Sequence, residues 1–217
     1  QLWRDLDADY HVDHRTLIHM KTAIFLMDVR NPRTFCYQDD APYIGAEQML
    51  AFQALLQCKD IDNLMVVCSI PLIMGSETHT NIAAQCDVTF DVKDSWDEGR
   101  HRPDHAKVLN LLREWKLSKP GRSLLLVGGD IHFALHSVIT DIDGQFICSQ
   151  VVTSPIATQP TKGIVGLIQD FFCGNQFVLY NQFHVEHTFQ LHKRNYAEIQ
   201  TSSEGWKYTF HTELETK

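Results

Sequence analysis

The sequence predicts an α/β fold, a mixed-sheet β-sandwich flanked by helices, in a single domain that spans residues 1–217. Short apolar runs that end at glycine or proline are typical of buried strands, and residues 124–127 are the clearest case. The runs follow the order strand, helix, strand, loop, helix, strand and then mostly strands, which favours a mixed sheet with helices packed against it. An apolar fraction of 44% in a chain of 217 residues is enough for one substantial core.

The first predicted strand covers residues 22–27 and follows a polar, charged segment, residues 1–20, that we expect to be solvated. Asp28 and Arg30 come directly after this strand, before an Asn-Pro turn. Opposite charges so close together usually satisfy one another. A structural ion pair is therefore favoured over a substrate site at this point.

Two helices are predicted from apolar residues at helical spacing. The first begins at Gly45, and the second begins near Asp104, which is a candidate N-cap. Between them a strand at residues 64–70 ends at Pro71. The apolar stripes that we expect to be buried are Met49, Leu50, Phe52, Leu55 and Leu56 in the first helix and Val108, Leu111, Leu112 and Trp115 in the second.

The last part of the chain is predicted to be mostly strands. Asp143-Gly144 marks a hairpin turn, because this dipeptide adopts the backbone conformation that a tight turn requires. The remaining predictions are strands at 135–140 and 146–153, a short helix at 162–172, extended structure over 177–191 and a closing hairpin of 196–200 with 206–211.

Composition excludes some classes of function. The formal net charge is −8, which makes nucleic acid a poor partner, since its phosphates attract basic surfaces. No apolar run approaches the roughly 20 residues of a membrane span. Of the six cysteines none forms a Cys-x-x-Cys pair, and no Asn-x-Ser/Thr sequon occurs, so we expect a reducing, intracellular setting.

Asp130 and His132 are the candidate metal ligands. They follow the apolar run 124–127 and two glycines, so we expect them at the C-terminal end of a central strand, where open α/β sheets place their ligands. In an extended segment, residues two apart point to the same side, so a carboxylate oxygen and an imidazole nitrogen can reach one metal ion. The alternative is that Asp130 caps a turn and His132 is a partly buried structural histidine.

The segment Gly129-Asp130-Ile131-His132 resembles the closing Gly-Asp-x-His motif of the PhoD-like phosphatases, a branch of the calcineurin-like metallophosphatases. The resemblance extends roughly from Trp3 to Ile199. Further segments similar to family landmarks, in the same order, are Asp28-Val-Arg30, Gly45-Ala-Glu-Gln48, Asp94-Ser-Trp96-Asp97 with Arg102, Ser154-Pro155-Ile156 and Arg194-Asn195-Tyr196.

The resemblance implies metal-assisted hydrolysis of a phosphate-ester substrate, with Asp130 and His132 as metal ligands. A carboxylate in place of the more usual histidine favours Fe³⁺, Mn²⁺, Mg²⁺ or Ca²⁺ over a purely nitrogen-ligated Zn²⁺. Asp97 and Arg102 are the candidate catalytic residues, because guanidinium groups match phosphate oxygens. The alternative for these two is a solvated charge run before a helix.

The metallophosphatase fold is assembled from two halves, and the matching segments belong to the second. We find none of the first half's opening Asp, Gly-Asp or Gly-Asn-His-like motifs, so we expect this chain to be the C-terminal part of a larger domain whose missing N-terminal half is its partner. Ser69 also stands where most of the superfamily has a ligand histidine. These two departures leave a second hypothesis, a non-catalytic α/β module for binding or scaffolding.

Overall fold

One eight-stranded mixed sheet organises the protein, in the order β1-β2-β3-β4-β6-β5-β8-β7. The structure is a computed structural model that describes residues 14–29, 43–78, 96, 99, 101–153, 174–202 and 204–212. The strands of this sheet are β1 Arg15–His19, β2 Thr22–Met27, β3 Asn63–Cys68, β4 Ser123–Gly128, β5 Ala134–Asp141, β6 Phe146–Val152, β7 Gln176–Leu179 and β8 Phe183–Leu191.

The four central strands β2, β3, β4 and β6 are parallel. The remaining pairs, β1 with β2, β5 with β6, β5 with β8 and β7 with β8, are antiparallel. The carboxyl ends of the parallel strands therefore lie at one edge of the sheet, and we call this the carboxyl edge.

Helices α1, Ala46–Leu56, and α2, Arg102–Leu117, cover one face of the sheet. Strand side chains alternate between this face and the other, and β2 directs Ala23, Phe25 and Met27 towards the helices. They pack with residues that include Phe52 of α1 and Trp115 of α2 in one large buried cluster. This burial is the main reason that the helices and the sheet stay together.

A two-stranded hairpin, β9 Asn195–Ser202 with β10 Gly205–Thr212, packs on the opposite face. Its inward side chains join a second apolar cluster with Met65, Leu125 and Val151 of the sheet. The sheet therefore has helices on one face and a second, smaller sheet on the other. The predicted mixed α/β fold is confirmed.

The polar N-terminal segment contains a strand that the sequence did not predict. Arg15–His19 pairs with β2 as the edge strand β1, and four of its five residues are exposed. Because both faces of this edge strand are open to solvent, its sequence lacks the apolar alternation of a half-buried strand. The hydrophobic pattern therefore did not predict it.

Asp104 is not the N-cap of α2. His101 occupies that position, and Pro103 stands in the first turn, where the missing N–H costs no helical hydrogen bond. The Asp104 carboxylate accepts a hydrogen bond from the backbone N–H of Tyr43 at 2.8 Å, which ties α2 to the segment before α1.

The buried stripe of α1 is also narrower than predicted, because Leu50 is 67% exposed. Gln48, which the stripe did not include, is fully buried. The helix predicted at 162–172 lies outside the described residues. Neither helix in the described part of the chain has the length and hydrophobicity to cross a membrane.

Candidate functional site at the carboxyl edge

Three strand ends converge at the carboxyl edge around two glycines. A side chain at Gly128 would place its Cβ 2.9 Å from the backbone Cα of Pro71, so the chain after β3 can cross the end of β4 only because Gly128 lacks one. At Gly129 an added Cβ would lie 3.6 Å from the backbone oxygen of Ser69 and 3.7 Å from that of Thr153, which are ordinary contact distances. The ends of β3, β4 and β6 therefore meet around the two glycines, and the close crossing requires a glycine only at Gly128.

We expect Gly128→Ala to destabilise the fold by about 1–3 kcal/mol, the usual cost of overpacking against atoms that cannot move away. The obstructing atoms are the backbone of Ile70 and Pro71. Gly129→Ala is the matched control, since its Cβ would meet only ordinary van der Waals contacts. Urea denaturation of both variants measures the difference, and equal stabilities would show that the close crossing at Gly128 is not needed.

Asp130 and His132 lie directly after β4, but the segment that carries them is a turn. Both residues have left-handed backbone angles, φ 70° at Asp130 and φ 63° at His132, and the Ile131 N–H donates to the Gly129 carbonyl at 3.0 Å. The expectation of an extended segment is therefore wrong. Both side chains are exposed at the carboxyl edge, and whether they meet at one point stays a prediction.

The left-handed conformation costs a non-glycine residue roughly 1 kcal/mol or more, so the backbone at Asp130 and His132 is strained. We expect His132→Gly to be more stable than His132→Ala by about 1 kcal/mol, because both lack the imidazole and only alanine keeps a Cβ. Thermal or urea unfolding compares the pair. The control pair is Ser69→Gly and Ser69→Ala. Because Ser69 is exposed and has no left-handed angle, the alanine variant should be the more stable of the two.

Two further polar groups lie at the carboxyl edge. His192 follows β8 at the same edge, and its ring stacks on Phe133 with 4.9 Å between centroids. Asp28 follows β2, and the buried Gln48 side chain pairs with its backbone, accepting from the N–H at 2.7 Å and donating to the carbonyl at 2.8 Å. Gln48 thus fixes the end of β2, a role that the Gly-x-x-Gln spacing alone did not reveal.

Arg102 begins α2 and contacts the chain that follows β3. Its Nη2 donates to the Glu77 carbonyl at 3.1 Å, and its Nε lies 4.0 Å from the Glu77 carboxylate. The Arg102 side chain keeps 23% of its surface exposed. Asp97 lies outside the described residues. Whether either residue shares a cleft with His132 stays a prediction.

An aromatic cluster anchors the start of α2. Trp96 is buried and packs on Tyr43, with 4.2 Å between ring centroids, and on His105, with 5.6 Å. His105 is completely buried, and its Nδ1 lies 2.6 Å from the Tyr180 hydroxyl. Burial lowers the pKa of His105 to about 3, aided by the nearby charge of Arg102. The sequence has 12 histidines, and no pattern distinguishes His105 from the others. Its buried place in this cluster was therefore not predicted.

The donor types at the turn suit a metal ion, but the set is incomplete. Asp130 and His132 offer one carboxylate and one imidazole, both of which are common types of metal ligand. Within the described part of the chain no group of three or more His, Cys, Asp or Glu side chains is arranged to hold a metal. Any metal site here therefore needs ligands from other residues.

Comparison with solved structures decides the fold type. PhoD superposes with a TM-score of 0.58 and 13% sequence identity, over 92% of this chain and 36% of PhoD. A purple acid phosphatase from seeds of yellow lupin, Lupinus luteus, superposes with a TM-score of 0.50 and 11% identity, over 92% of this chain and 30% of the phosphatase. This chain has a metallophosphatase-type fold.

The metallophosphatase-type fold is the whole of what these two similarities show, because both identities are low. No protein-family model matches the sequence, and no curated protein does. The chain spans about a third of the length of the two phosphatases. The expected resemblance is thereby confirmed at the level of the fold, and activity, metal and substrate stay proposals.

Proposed function

We propose that this chain contributes part of the active site of a metal-dependent phosphohydrolase that cleaves phosphate esters. The observation that carries the proposal is the turn after β4. It holds Asp130 and His132 in left-handed conformations at the carboxyl edge, in a fold shared with two phosphatases. Strained backbone at a ligand-binding edge of an α/β sheet is typical of a functional site.

In this proposal Asp130 and His132 hold metal, with Fe, Mn, Ca or Mg as the candidates. When bound, a metal ion there would neutralise phosphoryl charge and make a water molecule more acidic. In this proposal Arg102, which is partly exposed and is held by Glu77, orients the substrate by hydrogen bonds from its guanidinium to phosphate oxygens. Asp97 is proposed to act beside Arg102.

The remaining ligands are proposed to come from outside the described residues, including an N-terminal half of the domain. Exposed apolar residues on β1 and the turn that follows it agree with this, because Leu17 is 40%, Ile18 57% and Met20 84% exposed. An open edge strand with apolar side chains favours aggregation unless further polypeptide covers it. We therefore expect the isolated chain to fold poorly and to hydrolyse little substrate.

Hydrolysis of bis(p-nitrophenyl) phosphate tests the proposal. The complete natural polypeptide that carries this sequence should turn the diester over with Mn²⁺, or with Ca²⁺ plus iron, and should lose activity to a chelator. Residues 1–217 alone should show little or no turnover. Robust turnover by residues 1–217 alone would show that no further half is needed, and an inert complete polypeptide would refute the proposed function.

A non-catalytic binding or scaffolding module is the second candidate, and one observation favours it. Ser69, just after β3, supplies only a hydroxyl where most of the superfamily has an imidazole. A complete polypeptide that binds no metal would support this candidate.

A further inference from the structure

A short segment after β3, residues 71–77, is fixed to the sheet by a buried glutamine. The Ile73 N–H donates to Gln150 Oε1 at 2.9 Å, and Gln150 Nε2 donates to the Ile73 carbonyl at 2.6 Å. Gln150 lies on β6 and is completely buried. Both backbone polar groups of one loop residue are therefore paired with a single side chain of the central sheet.

A buried histidine holds the next residue of the segment. His187 of β8 has its Nε2 3.0 Å from the Met74 carbonyl, and its Nδ1 2.8 Å from the hydroxyl of the buried Ser137. Since a carbonyl can only accept, Nε2 carries the hydrogen. In the neutral ring Nδ1 then accepts from the Ser137 hydroxyl. Burial lowers the pKa of His187, which favours this neutral form.

The same segment contacts both parts of the candidate site. The Met74 side chain packs against the apolar cluster that includes Ile131 and Phe133, the neighbours of His132 in the turn. Three residues further on, the Glu77 carbonyl accepts the hydrogen bond from Arg102. Residues 71–77 thus form a physical link between the turn that carries Asp130 and His132 and the first residue of α2.

We propose that Gln150 and His187 are positioning residues, which hold the segment 71–77 so that Arg102 and the Asp130–His132 turn keep a fixed separation. The inference rests on the proposed function, in which Arg102 binds the phosphate of a substrate that the turn also contacts. Neither residue touches substrate, because both are buried beneath the segment and are engaged in its hydrogen bonds. Their effect on hydrolysis passes through Arg102.

Two substitutions at His187 separate its two hydrogen bonds. The amide nitrogen of His187→Gln can take the place of Nε2 and donate to the Met74 carbonyl. His187→Asn is shorter, so its amide can meet Ser137 but leaves that carbonyl unpaired. We expect His187→Asn to lower kcat/KM for bis(p-nitrophenyl) phosphate by about 10-fold or more, since small displacements of an orienting group are costly. His187→Gln should recover most of the loss, and His184→Asn, at an exposed position of β8, is the control.

A double-mutant cycle with Arg102→Ala distinguishes positioning from general destabilisation. In the Arg102→Ala background, His187→Asn should have little further effect on hydrolysis, because the group that it positions is gone. Gln150→Met keeps the side-chain volume and removes both hydrogen bonds. It should also have little further effect on hydrolysis in the Arg102→Ala background, and it replaces His187→Asn in the cycle if that variant does not fold. Both cycles use the complete natural polypeptide.

The outcomes separate this inference from the proposed function. Non-additive losses together with recovery by His187→Gln support the positioning role. Active wild-type protein with additive losses, or with equal rates for His187→Asn and His187→Gln, would overturn it and leave the proposed function standing. Absence of hydrolysis by the wild-type protein would overturn both.

Discussion

Asp130→Ala and His132→Ala will each lower kcat/KM for an aryl phosphate diester by about 100-fold or more in the complete polypeptide, if they are metal ligands. A metal that loses one of its ligands is held loosely and no longer positions a phosphate or a water molecule. Because both side chains are exposed on a turn, their removal leaves the core intact, so the loss of activity should occur without global unfolding.

The control for these variants is His184→Ala, an exposed histidine on β8 that lies outside the turn. Kinetics with saturating Mn²⁺ provide a second check, since excess metal should restore part of the activity of a weakened site but none of that of an unfolded one. Full activity in both Asp130→Ala and His132→Ala would remove the metal-ligand assignment.

Acid will destabilise the fold through His105. The folded-state pKa of about 3 lies below the unfolded value of 6.5, so between these values the unfolded chain binds the proton and the folded chain does not. The stability of the folded state therefore falls as the pH drops below 6.5, by about 1.4 kcal/mol for each pH unit from this one group. Burial lowers the pKa of His187 and of His136 as well, and both shifts act in the same direction.

Substitution of His105 by phenylalanine should flatten this dependence. Urea denaturation at several pH values between roughly 4 and 7, where the two states differ in bound protons, gives the slope for wild type and variant. An NMR titration of the His105 ring in the wild type provides a reading that does not depend on how well the variant folds. A slope unchanged by His105→Phe, or a ring that titrates near pH 6.5, would contradict the buried neutral imidazole.

The elements that apolar patterns predicted are those with at least one buried face. The strands at 22–27 and 124–127 alternate or run continuously apolar between breakers, and the structure has β2 and β4 there. The turn inside the stretch 177–191 was missed, because Tyr180 and Asn181 make it with left-handed angles near φ 53° and without glycine. Local patterns cannot show which non-glycine residues the tertiary structure forces into that conformation.

The candidate site was predictable in position but not in shape. A strand followed by two glycines placed Asp130 and His132 at the carboxyl edge, yet both have left-handed angles, which a local pattern does not show for residues other than glycine. The supporting residues Gln150 and His187 were not predictable. Their partners Ile73 and Met74 are 77 and 113 positions away in sequence, and no short-range pattern records such contacts.

Metal content is the measurement that tests the central claim most directly. Elemental analysis of the complete natural polypeptide, purified without chelator, should find about two metal ions per chain, as metal-dependent phosphohydrolases of the two-metal kind require. The double variant Asp130→Ala with His132→Ala should lose at least one of them while its folding stays unchanged. Absence of metal from the wild type, or a full complement in the double variant, would contradict the claim that this turn is part of a metal site.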